Sequence, residues 1–219
     1  MSAPLPSDGL GPDSRDAGGN PAQPNRKAAS ILAAARELFI DKGFDPVSME
    51  MVARQAPVSK ATLYAHFASK EELFTAVVVD EARQLTDEVW QIVTESADVA
   101  DVLRSVALKF VDIFLSQHAM SLQRAVISVV PRFPAIGIAI FESGPRILTS
   151  RLATFLAEAH QAGTLDVPDP RLAALQFLSL VRGDLDIRGL LLTYAPLQRA
   201  DIEAQIEAGI DIFLNRYAG

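Results

Sequence analysis

The sequence has no cysteine among its 219 residues. Disulfide bonds, thiolate zinc sites and cysteine nucleophiles are therefore excluded. It also has no uninterrupted apolar stretch near the roughly 18 to 20 residues that a membrane-spanning helix requires. The first residues lack the basic-then-apolar order of a secretory signal. We therefore expect a soluble, cytoplasmic protein.

Known catalytic patterns are missing as well. The sequence has no Gly-x-Ser-x-Gly elbow, no glycine loop of the kind that binds phosphate and no His-Glu-x-x-His metal site. Its three histidines, His66, His118 and His160, are far apart along the chain. They do not form a local catalytic or metal-binding cluster. We expect no enzyme activity, no metal site and no cofactor.

Positive charge is scarce, and its distribution is uneven. The formal net charge is −7 for the chain, with −2 in residues 1–23, +1 in residues 24–75 and −6 in residues 76–219. Between Met51 and Lys70 the only charged residues are Arg54, Lys60 and Lys70, all positive. Because phosphate binding requires positive surface, this short electropositive segment is the candidate for contact with a nucleic acid.

What the sequence has in abundance is apolar residues at helical spacing. Strand-like alternation of useful length is missing, so we predict an all-α fold. Residues 1–24 are rich in Pro, Gly, Ser and Asp, and they are predicted to be a disordered tail. Breaks at glycine and proline then divide the rest into predicted helices at about 26–42, 48–56, 60–67, 70–96, 99–116, 121–130, 135–162, 169–194 and 200–217.

Three serines are placed to cap consecutive short helices. Ser48 and Ser59 each precede a helical segment, and Ser69 with Glu72 has the Ser-x-x-Glu form of a capping box. Gly43 is predicted to end the first helix, and Pro57 closes the second. Short helices joined by tight turns are thus predicted over residues 26–72.

The segment Lys60–Phe67 has the properties of a helix that enters a DNA groove. Leu63 and Phe67 lie one turn apart and can anchor the helix to a core. The remaining residues are small, polar or basic and lie off that stripe. The major groove is about 12 Å wide and admits one α-helix, so the second of two short helices with this surface fits it.

The stretch from Val58 to Leu73 resembles the third helix and the start of the fourth helix of the TetR (tetracycline-repressor) family. The preceding Ala34-Ala35-Arg36-Glu37-Leu38-Phe39 and Lys42-Gly43-Phe44 resemble the first helix of that family and its glycine stop. The resemblance implies a helix-turn-helix domain at residues 25–70 and a C-terminal domain for ligand sensing and dimerisation at residues 71–219. It also implies a DNA-binding transcriptional regulator that is a ligand-responsive repressor.

The same resemblance assigns roles to individual residues. It implies that Lys60, Ala61 and Thr62 face base edges or nearby phosphates. Further contacts with the DNA backbone are implied for Tyr64, His66, Lys70, Ser48 and Met49. The chain departs from the family pattern at Pro57, where glycine is usual, and a proline ring opposes the positive φ that glycine allows. The local geometry of that turn is therefore open.

The C-terminal half offers a dimerisation face and a ligand site. One stripe of the last helix contains Ile202, Ile206, Ile210, Phe213 and Tyr217, which fits either a partner helix or the protein's own core. The resemblance favours a homodimer through the last two helices, bound to a pseudo-palindromic operator.

Aromatic residues on several helices predict a pocket for an unknown small-molecule effector. The candidate ligand-binding residues are Phe110, Phe114, Arg124, Phe141 and Phe177. Plain core packing is the alternative for each phenylalanine. The polar residues Arg124, Arg182 and Asp184 either orient a ligand or form ion pairs. For the whole chain, the alternative function is a helical small-molecule sensor that does not bind DNA.

Overall fold

The computed structural model describes residues 22–91, 98–192 and 197–218. Within these ranges the chain forms eleven α-helices and an isolated antiparallel bridge between Leu165 and Ala218, which confirms the all-α prediction. No helix in the described ranges is long and apolar enough to cross a membrane. The helices are α1 (Ala22–Lys42), α2 (Met49–Gln55), α3 (Lys60–His66), α4 (Lys70–Trp90), α5 (Val99–Phe114), α6 (Gln117–Val129), α7 (Pro134–Ser143), α8 (Pro145–Gln161), α9 (Pro170–Arg182), α10 (Leu185–Leu191) and α11 (Arg199–Tyr217).

The first helix begins earlier than predicted. The sequence placed its start near Arg26, after a disordered tail over residues 1–24, whereas α1 begins at Ala22. Pro24 lies in the first turn, where a residue without an N–H is tolerated because the first N–H groups of a helix have no partner within it. Residues 1–21 of the predicted tail lie outside the described part of the chain.

The three predicted serine caps are confirmed. The Oγ atoms of Ser48, Ser59 and Ser69 accept hydrogen bonds from main-chain N–H groups at 3.2, 3.0 and 3.1 Å, at the starts of α2, α3 and α4. Glu72 completes the last cap by accepting a hydrogen bond from the N–H of Ala68 at 2.9 Å. These local bonds fix where the short helices begin.

The turn between α2 and α3 has the geometry that a glycine would favour, although it contains Pro57. The N–H of Val58 donates to the carbonyl of Ala53 at 3.0 Å, which is the longer hydrogen bond of a Schellman helix end. That motif places the residue after the cap at positive φ, and Pro57 has a φ of +22°. The proline therefore keeps the family-like turn at the cost of backbone strain.

Two of the predicted long helices are each divided in two. The predicted helix at 135–162 is wrong because Gly144 ends α7 and Pro145 begins α8. A Cβ on Gly144 would lie 2.9 Å from the Cβ of Ala82, so this corner packs closely on α4. The predicted helix at 169–194 is also wrong, since Gly183 ends α9 at a φ of +54° and α10 follows.

Buried apolar residues form two cores, and α4 contributes to both. The first core packs α1–α3 against Leu73, Phe74 and Val77 of α4 and also includes residues of α6 and α7. The second lies among α5, α8, α9 and α11 and includes Val89 near the other end of α4. A rigid helix therefore joins the helix-turn-helix region to the C-terminal helices.

Helices α9 and α11 pack as an antiparallel pair at short distance. Tyr217 donates to Gln176 at 2.5 Å near one end, and Gln205 donates to the carbonyl of Leu180 at 2.7 Å near the other. Gly209 permits the close approach, because a Cβ there would lie 2.8 Å from the main-chain carbonyl of Leu180.

Candidate nucleic-acid interface and cavity

Helix α3 is anchored by one side and exposed on the other. Leu63 is fully buried, and Phe67 is partly buried against the same core. Lys60, Ala61 and Ala65 are exposed, and Tyr64 is 47% exposed, while Thr62 and His66 are half-buried. The outer face of α3 is thus uncovered by other helices, which is the condition for its entry into a groove.

Two residues of this surface have partners within the protein. The ammonium of Lys60 forms an ion pair with Glu50 of α2 at 3.0 Å, and the hydrogen bond from Lys60 lowers the pKa of the Glu50 carboxyl. The hydroxyls of Thr62 and Ser59 are 2.8 Å apart and hydrogen-bonded. The ammonium of Lys60 keeps further N–H donors, but the negative charge of the paired Glu50 offsets its attraction for a phosphate.

The candidate residues at the start of α2 differ in exposure. Ser48 is half-buried, and its hydroxyl is the N-cap. Met49 is buried, with 6% of its surface exposed, and belongs to the first core. Its side chain is thus directed away from solvent, and only its main chain is available at this helix start.

Lys70 has a structural role that the sequence did not indicate. Its ammonium donates to the carbonyls of Phe44, Asp45 and Val47 at 3.0, 3.2 and 3.0 Å, and it lies 4.3 Å from the centre of the Phe44 ring. These three acceptors use all the donors of an ammonium group. Lys70 therefore ties the start of α4 to the loop between α1 and α2, with no donor left for a phosphate in this state.

A cavity of about 920 Å³ lies among α4, α5, α6, α7, α8 and α9. Its size is typical of sites that bind small organic molecules. Of the predicted ligand-binding residues, Phe110, Phe114 and Phe141 line it. Phe177 is fully buried in the second core, 5.1 Å from the ring of Phe213, and Arg124 donates to Ser121 at 3.2 Å. Neither residue is in the cavity wall.

Glu81 connects the cavity wall with the helix-turn-helix region. It lies on α4, lines the cavity and is 3% exposed. Its two carboxylate oxygens are 2.8 Å from Arg36 of α1 and 2.5 Å from His118 of α6. The contact with Arg36 is an ion pair in which Oε1 accepts no hydrogen bond, and the two contacts of Glu81 connect α4 with α1 and α6. Sequence reasoning missed this cluster because its members are far apart in the chain.

An apolar surface remains uncovered on the C-terminal helices. Leu172 of α9 is 48% exposed and does not line the cavity, and Ile212 of α11 is 56% exposed. On α10, Ile187 and Leu191 are 50% and 68% exposed. Because α9 and α11 are adjacent, their exposed residues form a candidate surface for association with a second molecule.

Comparison with family models identifies both halves of the chain. The model described as "Bacterial regulatory proteins, tetR family" matches residues 31–77. The model described as "AefR-like transcriptional repressor, C-terminal domain" matches residues 101–219. The first match covers α2 and α3 with parts of α1 and α4, and the second covers most of the cavity wall and the candidate association surface.

Individual proteins agree with these matches. The solved structure of the flavonoid-responsive regulator FrrA is 39% identical, with a TM-score of 0.75, over 89% of this chain and 98% of FrrA. A TetR-family structure from Mesorhizobium loti has a TM-score of 0.84 at 28% identity, over 90% of this chain and 99% of that one. The regulator UidR of Escherichia coli K12 is 28% identical over 84% of each chain. The activator FasR of Mycolicibacterium smegmatis is 36% identical, but this match spans only 48% of FasR.

Proposed function

The chain belongs to the TetR family and is a DNA-binding transcriptional regulator, and on that premise we propose that it is a homodimeric repressor released from its operator by a small molecule. The observation that carries the proposal is the exposed outer face of α3, held by the buried Leu63. The family model for the C-terminal domain, described as that of a repressor, supports repression. A regulator of this kind works in the cytoplasm, and nothing in the proposal requires an enzyme activity.

In the proposed complex α3 lies in the major groove. Lys60, Ala61 and Thr62 at its start approach base edges and phosphates, and Tyr64 and His66 contact the backbone on either side. Ser48 caps the neighbouring helix α2, whose first N–H groups are suited to a phosphate. Phosphate contacts set the register, and the few groove-facing side chains supply the sequence preference. The contacts of Lys70 favour a bracing role over a phosphate contact.

The proposed dimer forms through α9 and α11. Their exposed apolar residues Leu172 and Ile212 are matched by the same residues of a second copy when two molecules associate about a two-fold axis. The interface of that dimer is a four-helix bundle, and the two copies of α3 then face half-sites about one turn of DNA apart. We expect the double variant Leu172→Glu with Ile212→Glu to be monomeric. Ile138→Glu, which places the same charge on an exposed part of α7, is the control and is expected to remain dimeric.

The proposed effector binds in the cavity among α4 to α9. The relative FrrA is flavonoid-responsive, which supports a small organic effector here. A ligand that changes the spacing of α4 and α6 also displaces Arg36 of α1, because Glu81 joins the three helices. The operator-binding arrangement then becomes less populated, and operator affinity falls.

The site assignment is tested by a double substitution. Tyr64→Ala with His66→Ala is expected to abolish binding to the operator beside the protein's own gene, measured by fluorescence anisotropy. Light scattering is expected to show an intact dimer, since both residues are remote from α9 and α11. His160→Ala on α8 is the matched control and is expected to bind normally. Unchanged binding by the double variant would remove the assignment.

A further inference from the structure

The charges in the wall of the cavity are unequal. Among its lining residues, four are arginines, namely Arg146 and Arg151 of α8 and Arg171 and Arg182 of α9. Within the part of the chain that the structure describes, Glu81 of α4 is the only carboxylate in the lining. This excess of positive charge contrasts with the net charge of −7 for the whole chain. All four cations are on the α8 and α9 side of the cavity.

The four arginines differ in how well they are paired. Arg146 lies 2.6 Å from Glu142, and Arg151 lies 2.7 Å from Asp87. In contrast, Arg171 is exposed and has no ion-pair partner among the described residues. For Arg182 the nearest carboxylate oxygen, of Asp186, is 3.5 Å from Nε, and that nitrogen is buried without a hydrogen bond. The least compensated cations are therefore the two on α9, namely the exposed Arg171 and Arg182, whose ion pair with Asp186 is longer than those of Arg146 and Arg151.

One stripe of α9 presents these cations to the cavity. The lining residues of this helix are Arg171, Leu175, Leu178, Ser179 and Arg182, which recur at three- and four-residue steps and so share one face. Arg171 and Arg182 are separated by about 16 Å along the axis at 1.5 Å per residue. Two leucines cover the length between them. One acidic group can therefore pair with only one of the two arginines.

The wall formed by the described residues of α4 and α5 contains no cation that could pair with an anionic group. The charged lining residue of these helices, Glu81, is 3% exposed and lies between Arg36 and His118, so its carboxylate is shielded from a ligand. The rest of this wall is mostly apolar and aromatic, and the rings of Phe110 and Phe114 lie at a centroid distance of 5.4 Å with their planes tilted by 32°. A ligand that satisfies both walls must be charged at one end and apolar along its length.

We propose that the effector is an amphipathic organic anion. Its acidic group pairs with the guanidinium of Arg182, and its apolar or aromatic body lies along Leu178 toward Phe110 and Phe114. Arg171 adds long-range attraction from the other end of the stripe. The inference rests on the proposed function, in which this cavity is the effector site. It adds the chemical class of the effector and the residue that selects it.

A pair of fluorescent probes tests the role of the negative charge. The anion 1-anilinonaphthalene-8-sulfonate has the same ring system as N-phenyl-1-naphthylamine, which lacks the sulfonate. A hydrogen bond to a charged partner stabilises by about 1.5–3 kcal/mol, so the sulfonate is expected to bind about tenfold tighter or more. Arg182→Met is expected to remove this advantage while the affinity for the neutral probe changes less than about twofold. Arg182→Lys is expected to restore part of it.

Two control variants locate the binding. Arg216→Met removes the same charge from α11, outside the cavity, and is expected to leave both affinities unchanged. Ala153→Trp fills the cavity from α8 and is expected to weaken both probes; circular dichroism and thermal unfolding verify that each variant folds. The inference is overturned if the neutral probe binds as tightly as the anion, if Arg182→Met weakens both equally, if neither probe binds, or if the filled variant keeps its affinity for the sulfonate.

Operator binding separates this inference from the proposed function. When the sulfonate saturates the cavity with the predicted dependence on Arg182, operator affinity is measured in its presence. Release from the operator supports both statements. Saturation without any change in operator affinity still supports the chemistry of the cavity, but it contradicts the proposed effector role.

Discussion

Glu50→Gln tests how the electropositive surface of α3 is controlled. In the free protein Lys60 is paired with Glu50 at 3.0 Å, and this carboxylate belongs to the same helix-turn-helix surface that is proposed to approach DNA. The substitution removes a negative charge that opposes the phosphates and frees Lys60 to pair with one of them. We therefore expect Glu50→Gln to bind the operator more tightly than the unmodified protein.

The size of the effect follows from counterion release. One additional phosphate contact makes the slope of log K against log salt more negative by about 0.9. Between 200 mM and 50 mM salt the ratio of the two dissociation constants therefore changes by about 3.5-fold, with the greater advantage of Glu50→Gln at low salt. Because the hydrogen bond from Lys60 lowers the pKa of Glu50, the pair is intact at neutral pH, and the advantage is expected to be constant from pH 6 to pH 8.

Fluorescence anisotropy over a salt series measures both quantities. Glu158→Gln is the matched control, since it makes the same change of charge at an exposed position of α8, far from α3. Equal affinities and parallel salt slopes for Glu50→Gln and the unmodified protein would refute the assignment of Lys60 to a phosphate. Weaker binding by Glu50→Gln would show instead that the ion pair itself is needed to hold α3 in place.

Three further substitutions, with Gly189→Ala as a control, test a strained turn, a close helix contact and an exposed ion pair. Pro57→Gly is expected to raise the free energy of unfolding by about 1 kcal/mol, because relief of about 1–3 kcal/mol of strain exceeds the entropy that the unfolded chain gains. Gly209→Ala is expected to lower the free energy of unfolding by about 1–2 kcal/mol, since overpacking against main chain exceeds the gain in helix propensity. A Cβ on Gly189 would meet side chains and no main chain, with Met120 at 3.0 Å and Leu115 at 3.8 Å, so Gly189→Ala is expected to be neutral or stabilising. Hydrogen bonds from Arg104 lower the pKa of Glu207, so Glu207→Gln is expected to cost up to about 1 kcal/mol at pH 7, a difference that is lost as the pH falls through that lowered pKa. Urea unfolding at each pH measures all three, and a reversed sign would contradict the corresponding contact.

The sequence alone predicted the features that depend on contacts within a few residues along the chain. The side chains of Ser48, Ser59 and Ser69 each accept from the N–H three positions ahead, so the sequence alone predicted the starts of α2, α3 and α4. The stop at Gly43 is local in the same sense. The family resemblance covered this same region, and its fold and DNA-binding role are the parts that the comparisons support.

Features that depend on contacts between distant helices could not be predicted in the same way. The role of Lys70 depends on three carbonyls more than twenty residues away. Its position in the family-like segment alone indicated a contact with a phosphate. The sequence shows Glu81 as an ordinary charged residue of a long helix. Its contacts with Arg36 and His118 depend on how α1 and α6 pack against α4. Phe177 matched the pattern of a pocket aromatic, although it belongs to the core, since periodicity does not distinguish between two apolar environments.

Footprinting of the operator tests the central claim most directly. Hydroxyl-radical cleavage and guanine methylation of the operator are measured with and without the protein. We expect two protected major-groove segments, related by two-fold symmetry and roughly 34 Å apart, and we expect the Tyr64→Ala and His66→Ala double variant to protect neither. A single protected segment, protection confined to the minor groove, or an unchanged footprint with the double variant would contradict the insertion of α3 from each half of a dimer.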